Sequence, residues 1–112
     1  MSFFRAYKDK PKFALAMHAV ISHDDTNTIG YVDDDLKNIL QTLEKEAFLD
    51  STLLIIFADH GSRFSELRKT IQGKLEERLP FMSITAPKWF SEQYPDLFSN
   101  LVHKLQSPDH AF

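Results

Sequence analysis

An aspartate, a histidine and a glycine follow one another just after the most apolar stretch of the chain. Residues 52–57 are apolar or β-branched at every position, which is typical of a strand buried on both faces. Asp59 offers an anionic oxygen, His60 offers an imidazole nitrogen, and Gly61 permits a sharp turn with positive φ. Divalent metals bind this pair of donors. The pattern therefore predicts a metal site at the carboxyl end of a strand, and an ordinary polar turn is the alternative.

The composition of the chain limits the classes of function that it could have. Its 112 residues are 43% apolar, which predicts one domain with a hydrophobic core. The formal net charge is −3 and no basic stripe is interleaved with aromatic residues, so we expect no binding to nucleic acid. The absence of cysteine excludes disulfides, thiolate zinc sites and thiol nucleophiles. Ten phenylalanines predict exposed apolar patches unless a surface covers them.

Two predicted strands and one helix form a unit ahead of Asp59. Residues 12–21 are mostly apolar and predict a buried strand in which His18 is a core residue. A polar loop with His23 and Asp24 follows, and residues 31–49 show the clearest amphipathic helix pattern. A strand, a helix and a strand in this order predict a βαβ unit with parallel strands. The polar loop and Asp59 would then meet at one edge of the sheet.

The chain after Gly61 predicts further helices and one more strand. Residues 62–71 suggest a short helix that Gly73 terminates, and residues 73–80 suggest a charged loop. Residues 79–86 predict a third strand, and Pro87 ends it. An aromatic helical segment follows, and Pro95 interrupts it.

The order of these features resembles the carboxyl-terminal part of the alkaline phosphatase and sulfatase superfamily. The closest likeness is to an uncharacterised animal branch of that superfamily, a domain-of-unknown-function family with a sulfatase-like fold. The resemblance covers residues 8–110 and is carried by the runs SHDDTN, FADHGSRF, GKLEERLPF and PKWFSEQYP. It implies an alkaline-phosphatase-like or sulfatase-like α/β fold, present here as a partial, mostly parallel sheet with flanking helices. The chain would be a single, truncated carboxyl-terminal portion of such a domain.

The resemblance also implies roles for individual residues. Asp59 and His60 match the metal-binding Asp-His pair of the superfamily, and His110 matches a further metal-binding histidine. His23 matches a catalytic residue that contacts the second metal or the phosphoryl or sulfuryl group, and Asp24 is assigned to substrate binding beside it. Arg78 lies in the charged trio with Glu76 and Glu77, and it would pair either with an anionic substrate oxygen or with a carboxylate of its own loop.

The superfamily's nucleophile and its first acidic metal ligand have no counterpart in this sequence. Two hypotheses for the function follow. The chain is a fragment of a metal-dependent phosphate- or sulfate-ester hydrolase with weak or no activity alone, or it is a non-catalytic remnant that acts as a metal-binding or protein-interaction module. A generic α/β ligand-binding domain is a third interpretation, which explains the βαβ unit but not the co-occurring motifs. Strands without their neighbours would leave sheet edges open to a partner.

Several properties stay open at the level of the sequence. The cofactor would be a divalent metal, with zinc, manganese, calcium and magnesium all compatible with one carboxylate and one imidazole. The substrate would be a small anionic ester. Residues 1–13 do not look like a signal peptide or a membrane span, which indicates either a cytosolic protein or a chain that starts downstream of its natural beginning. Relatives in the superfamily are commonly secreted or lumenal.

Overall fold

Helices dominate the computed structural model of the chain, which describes residues 1–18, 20–21, 26–63 and 66–106. The chain divides into two units, Met1–Phe48 and Leu49–Phe112, each with its own internal contacts. Within the described residues the only sheet has two antiparallel strands. The prediction of a mostly parallel α/β sheet of the alkaline-phosphatase or sulfatase type is therefore wrong for this structure.

The first unit contains two helices and a 3₁₀ segment. Helix α1 spans Ser2–Ala6, the 3₁₀ segment spans Thr26–Val32, and helix α2 spans Asp33–Lys45. The phenyl ring of Phe4 lies 5.5 Å from that of Phe48, measured between ring centroids. This contact brings the start of the unit against its end, since the two rings belong to opposite ends of its sequence.

An ion pair reinforces this closure of the first unit. Arg5 Nε donates to Glu46 Oε2 at 2.9 Å, and Arg5 Nη2 contacts Glu46 Oε1 in a bidentate pair. The hydrogen bond to the guanidinium is the largest cause that lowers the pKa of Glu46, and the same bond raises the pKa of Arg5. A bidentate guanidinium–carboxylate pair restricts both side chains to one geometry.

Helix α2 follows the predicted periodicity but ends earlier than predicted. Three aspartates occupy its first turn, where the helix dipole favours negative charge. Leu43 is buried with 6% of its surface exposed, whereas Leu36 and Ile39 on the predicted apolar face remain exposed. The helix stops at Lys45 because Ala47 adopts the left-handed conformation with φ of 57°.

The predicted buried strand at residues 12–21 is wrong. Residues 12–18 and 20–21 form no strand, and His18 is exposed instead of buried in a core. The side chains of Phe13, Met17 and Val20 are more than four-fifths exposed. An apolar run becomes a strand only where a neighbouring strand takes up its hydrogen bonds, and the described residues provide none here.

The second unit contains the sheet. Strand β1 spans Leu54–Phe57 and strand β2 spans Met82–Thr85, with Ile55 opposite Ile84 in the register. Both strands were predicted, but their antiparallel pairing contradicts the mostly parallel sheet, and the predicted βαβ unit is wrong because residues 12–18 and 20–21 form no strand. Ile55 and Phe57 are 43% and 58% exposed, so β1 is not covered on both faces. The sequence pattern of an apolar strand is the same whether the neighbouring strand runs parallel or antiparallel to it.

Helix α3 covers a stretch that was predicted as a loop. A 3₁₀ segment spans Glu66–Lys69, and α3 spans Ile71–Arg78. Thr70 caps the helix, because its Oγ1 accepts from Gly73 N at 3.0 Å. Gly73 therefore lies in the first turn of a helix and does not terminate one, which corrects both the predicted helix at residues 62–71 and the predicted loop at residues 73–80.

Gly73 is needed because helix α3 packs directly on the preceding backbone. A Cβ atom at position 73 would lie 2.0 Å from the carbonyl oxygen of Leu67, far inside van der Waals contact. Only a residue without a side chain permits this approach. Helix α3 can therefore lie this close to the Glu66–Lys69 segment only because residue 73 has no side chain.

The last two helices agree with the predicted interrupted aromatic segment. Helix α4 spans Lys88–Gln93 and helix α5 spans Pro95–Gln106, with the break at Tyr94. Pro95 occupies the first helical position, where its missing N–H costs nothing. Trp89 Nε1 donates to the carbonyl oxygen of Asp50 at 2.9 Å, which ties α4 to the segment before β1.

The first prediction concerns the close packing at Gly73. We expect Gly73→Ala to lower the free energy of unfolding by about 1–3 kcal/mol, because the added methyl group overpacks the contact with Leu67. Gly30→Ala is the matched control, since a Cβ at position 30 meets no atom within 4 Å. That change should be neutral or stabilising by about 0.4–1 kcal/mol. Urea unfolding followed by circular dichroism measures both, and equal effects of the two substitutions would contradict the packing argument.

The second prediction concerns the pH dependence of the first unit. Arg5 holds the pKa of Glu46 below its ordinary value of 4.5, so the pair stabilises the fold above that pH. This stability is lost as the pH falls through the lower, folded-state pKa. We therefore expect the difference in melting temperature between the natural chain and Glu46→Gln to be largest near neutral pH and to shrink below about pH 4. Glu44→Gln, which removes a carboxylate outside the pair, is the control, and a difference that stays constant with pH would contradict the role of Glu46.

Candidate metal-binding site

Asp59 and His60 lie in the short segment that leaves strand β1. The N–H of Ala58 still donates to the carbonyl oxygen of Phe81 at 2.9 Å, so the sheet pairing continues to the residue before Asp59. The N–H of His60 donates to Asp59 Oδ1 at 2.9 Å, so the Asp59 carboxylate is held by the backbone of the next residue. The two side chains are therefore held on adjacent residues at the carboxyl end of a strand, as the sequence predicts.

The imidazole of His60 is oriented by contacts at both of its nitrogens. Nδ1 lies 2.8 Å from the carbonyl oxygen of Gly61, and Nε2 lies 3.6 Å from Asp59 Oδ2. Because a carbonyl oxygen can only accept, Nδ1 carries the proton of this hydrogen bond. In the neutral ring the lone pair is then on Nε2, the nitrogen that lies 3.6 Å from Asp59 Oδ2. The imidazole is partly enclosed, with 36% of the side chain exposed, whereas the Asp59 side chain is 82% exposed.

This arrangement fits a divalent metal. Two donors that each lie about 2.1 Å from one ion at a tetrahedral angle are about 3.4 Å apart, close to the 3.6 Å between Nε2 and Oδ2. Metal-binding histidines commonly donate their other ring N–H to a backbone carbonyl, and Gly61 supplies that acceptor. Without a metal, the same 3.6 Å contact is a weak ion pair when the imidazole is protonated.

Three other predicted site residues, a catalytic residue, a substrate-binding residue and a further metal ligand, lie outside the described residues. These are His23, Asp24 and His110. In the part of the chain that the structure describes, no group of three or more histidine, cysteine, aspartate or glutamate side chains could hold a metal ion. The structure therefore brings two of the predicted site residues together, and their further ligands stay a prediction.

Arg78 and the two glutamates beside it lie on helix α3 and not in a loop. Glu76 accepts a hydrogen bond from Gln72 Nε2 at 2.8 Å within the helix. Glu77 is the enclosed member of the trio, with 16% of its side chain exposed. Arg78 is exposed and makes no ion pair with any described residue, so its assignment to an anionic substrate stays a prediction.

Gly61 has a different role from the one that its sequence position suggests. No glycine among the described residues has a positive φ, so the prediction of a left-handed turn at Gly61 is wrong. Gly61 instead lies against helix α3, where its N–H donates to the Glu77 carbonyl oxygen at 3.0 Å. A Cβ at this position would lie 2.1 Å from the Glu76 carbonyl oxygen. Close approach of two backbones explains the glycine.

The ion pairs around Glu77 were not predicted from the sequence. Arg68 Nε donates to Glu77 Oε2 at 2.7 Å, and Arg63 Nε lies 3.7 Å from Glu77 Oε1. These three residues are separated by five and nine positions, so no helix or strand period relates them. One feature of the sequence could have indicated these pairs. The chain has three glycines, and two of them, Gly61 and Gly73, lie on either side of the two arginines.

The third prediction tests the metal site. We expect calorimetric titration with zinc or manganese to detect binding that Asp59→Ala/His60→Ala weakens by about tenfold or more, because both donors are lost (about 1.4 kcal/mol per factor of ten). The matched control is Glu92→Ala/His103→Ala, which removes an exposed carboxylate and an exposed imidazole from α4 and α5. Equal binding by both double variants would show that metal binds elsewhere.

Comparisons with known proteins give one match. No curated protein and no solved structure matches the chain. The family model described as "Protein of unknown function (DUF229)" matches residues 1–108, which is nearly the whole chain. The matched range includes Asp59 and His60 and ends before His110. The chain belongs to the DUF229 family.

Proposed function

We infer that this chain contributes a divalent metal site to a hydrolase of phosphate or sulfate esters. The observation that carries the proposal is the pairing of Asp59 Oδ2 with His60 Nε2 at 3.6 Å, with Nδ1 held by the Gly61 carbonyl oxygen. Membership of DUF229, a family that resembles sulfatases, supports the same chemistry. The proposal concerns the class of reaction and leaves the choice between the two esters open.

Each of the two residues has a defined task in this proposal. Asp59 supplies negative charge through Oδ2, while its Oδ1 stays hydrogen-bonded to the His60 N–H. His60 supplies a neutral donor whose ring direction is set by Gly61. A divalent ion bound there would polarise a phosphoryl or sulfuryl oxygen and lower the pKa of the attacking group.

The nucleophile is not among the contacts of the described site. Within the described residues the ring of His60 contacts Gly61 and Asp59, and no hydroxyl group lies within hydrogen-bond distance of it. In this proposal the bound ion and not His60 would activate the nucleophile, because both ring nitrogens of His60 are already engaged. We propose that residues other than those described supply the nucleophile, and that His23 and Asp24 act on the ester beside it.

A protein-interaction module is the second candidate function. Both strands of the sheet keep one edge without a described partner, and large apolar side chains are exposed on many elements. Exposed apolar surface of this extent favours association with another surface. Ile55, Phe57, Phe81 and Met82 lie on or next to the sheet and are all more than 40% exposed. No described helix has the length and apolar character needed to cross a membrane.

The fourth prediction separates the two functions by anion binding. Equilibrium dialysis measures the retention of inorganic phosphate or sulfate by the chain, with and without manganese. We expect retention only when manganese is present, and loss of retention in Asp59→Ala/His60→Ala, because two protein ligands leave positions on the ion for oxyanion oxygens. The variant Glu92→Ala/His103→Ala is the control.

Two outcomes of this experiment are informative. Retention of one anion over the other identifies the ester class of the substrate. Metal binding without retention of either anion would contradict the hydrolase proposal and favour the interaction module. In a separate assay, metal-dependent hydrolysis of nitrophenyl phosphate or sulfate by the chain alone would show that no other chain is needed, because either this chain holds a nucleophile or a metal-bound water attacks the ester.

A further inference from the structure

Helix α3 holds the segment that carries Asp59 and His60 through two separate contacts. The first is made by the backbone, where Gly61 N–H donates to the Glu77 carbonyl oxygen at 3.0 Å. The second is made by side chains, where Arg63 Nε lies 3.7 Å from Glu77 Oε1. Glu77 takes part in both contacts, and its two partners, Gly61 and Arg63, lie within three positions of His60.

Glu77 is unusual among the charged side chains of this unit because it is enclosed. Its side chain is 16% exposed, compared with 52% for Arg63 and 53% for Arg68. Its second oxygen accepts from Arg68 Nε at 2.7 Å, so two guanidinium groups from two different segments meet at one carboxylate. Partial burial weakens the screening of both pairs by water. Removal of the negative charge would leave two cations facing each other without compensation.

The place of Glu77 is itself fixed by the packing of α3. Thr70 caps the first turn of the helix, and Gly73 allows its backbone to contact the carbonyl of Leu67. A chain of contacts therefore runs from the Glu66–Lys69 segment through α3 to Gly61. The His60 imidazole is the next member of this chain, because its Nδ1 lies 2.8 Å from the Gly61 carbonyl oxygen.

We propose that Glu77 is the positioning residue of the Asp59–His60 pair, and that its carboxylate and carbonyl together set the direction of the metal-binding nitrogen. This proposal rests on the proposed metal site and extends it. The positioning of the His60 ring by Glu77 applies to the metal-free chain as well. Glu77 does not contact the ion in this proposal. It acts through Gly61 and Arg63, whose contacts determine where the His60 ring lies.

The first experiment uses the metal-free protein. Glu77→Gln removes the charge but keeps the shape of the side chain, and Glu76→Gln changes the neighbouring glutamate, whose hydrogen bond is to Gln72. We expect Glu77→Gln to speed hydrogen exchange at the Gly61 amide by about fivefold or more and to shift the His60 imidazole NMR resonances, since local opening governs exchange. Glu76→Gln should leave both unchanged.

The second experiment measures metal affinity. Residues that orient metal ligands typically affect affinity by about 10–100-fold, and Glu77 acts through one intermediate, so we expect about a tenfold loss of zinc affinity in Glu77→Gln. Arg63→Gln keeps the Arg68–Glu77 pair and hence the anchoring of α3, and it should give a smaller loss in the same direction. The absorption spectrum of bound cobalt reports the geometry of the ligands and should change in Glu77→Gln but not in Glu76→Gln.

The outcomes distinguish this inference from the proposed function. Unchanged Gly61 exchange and unchanged His60 resonances in both Glu77→Gln and Arg63→Gln would overturn the positioning role, whatever the metal result. Altered resonances in a chain that binds no zinc would support the positioning role and contradict the metal site. If Glu77→Gln fails to fold, Arg63→Gln alone decides, because it leaves the partly buried carboxylate paired with Arg68.

Discussion

The close approach of two backbones at Gly61 is the constraint on which the second unit depends. The segment that leaves β1 meets helix α3 there with no side chain between them, and the Gly61 N–H finds its acceptor at Glu77. An unpaired N–H in that contact would cost free energy comparable to a lost hydrogen bond. The same segment carries His60, whose Nδ1 lies 2.8 Å from the Gly61 carbonyl oxygen, and Arg63, which pairs with the partly buried Glu77 side chain. A similar approach at Gly73 fixes α3 on its other side.

The features that the sequence predicted well are those that neighbouring residues determine. Contacts within a few positions determine four such features. These are the helix α2, its acidic first turn, the two apolar runs that form β1 and β2, and the break at Pro95. The adjacency of Asp59 and His60 also made their common location predictable, since consecutive residues at the end of a strand cannot separate. Local chemistry of this kind depends little on the rest of the fold.

The features that failed depend on partners far along the chain. The run at residues 12–21 has the composition of a strand, but pairing with a neighbour decides whether a strand forms. The direction in which two strands pair has no sequence pattern of its own, so the mostly parallel sheet was predicted where β1 and β2 pair antiparallel. Gly61 and Gly73 were interpreted as turn and stop signals, the commoner roles of glycine, whereas both serve close packing. The pairs at Glu77 join segments that no period relates.

These contrasts explain why the Asp59–His60 pair and the contacts of Glu77 were predicted so unequally. Asp59 and His60 are recognisable because the sequence places a carboxylate beside an imidazole directly after an apolar run, and membership of DUF229 agrees with the motifs that surround them. Glu77 carries no chemistry of that kind, and in the sequence it is one charge among three at the end of an amphipathic stretch. Its place beneath the Asp59–His60 segment becomes visible only when α3 is folded against Gly61. A pair of ligands on a short segment needs such a fixed base, because donors on a free loop would lose more conformational entropy on binding an ion.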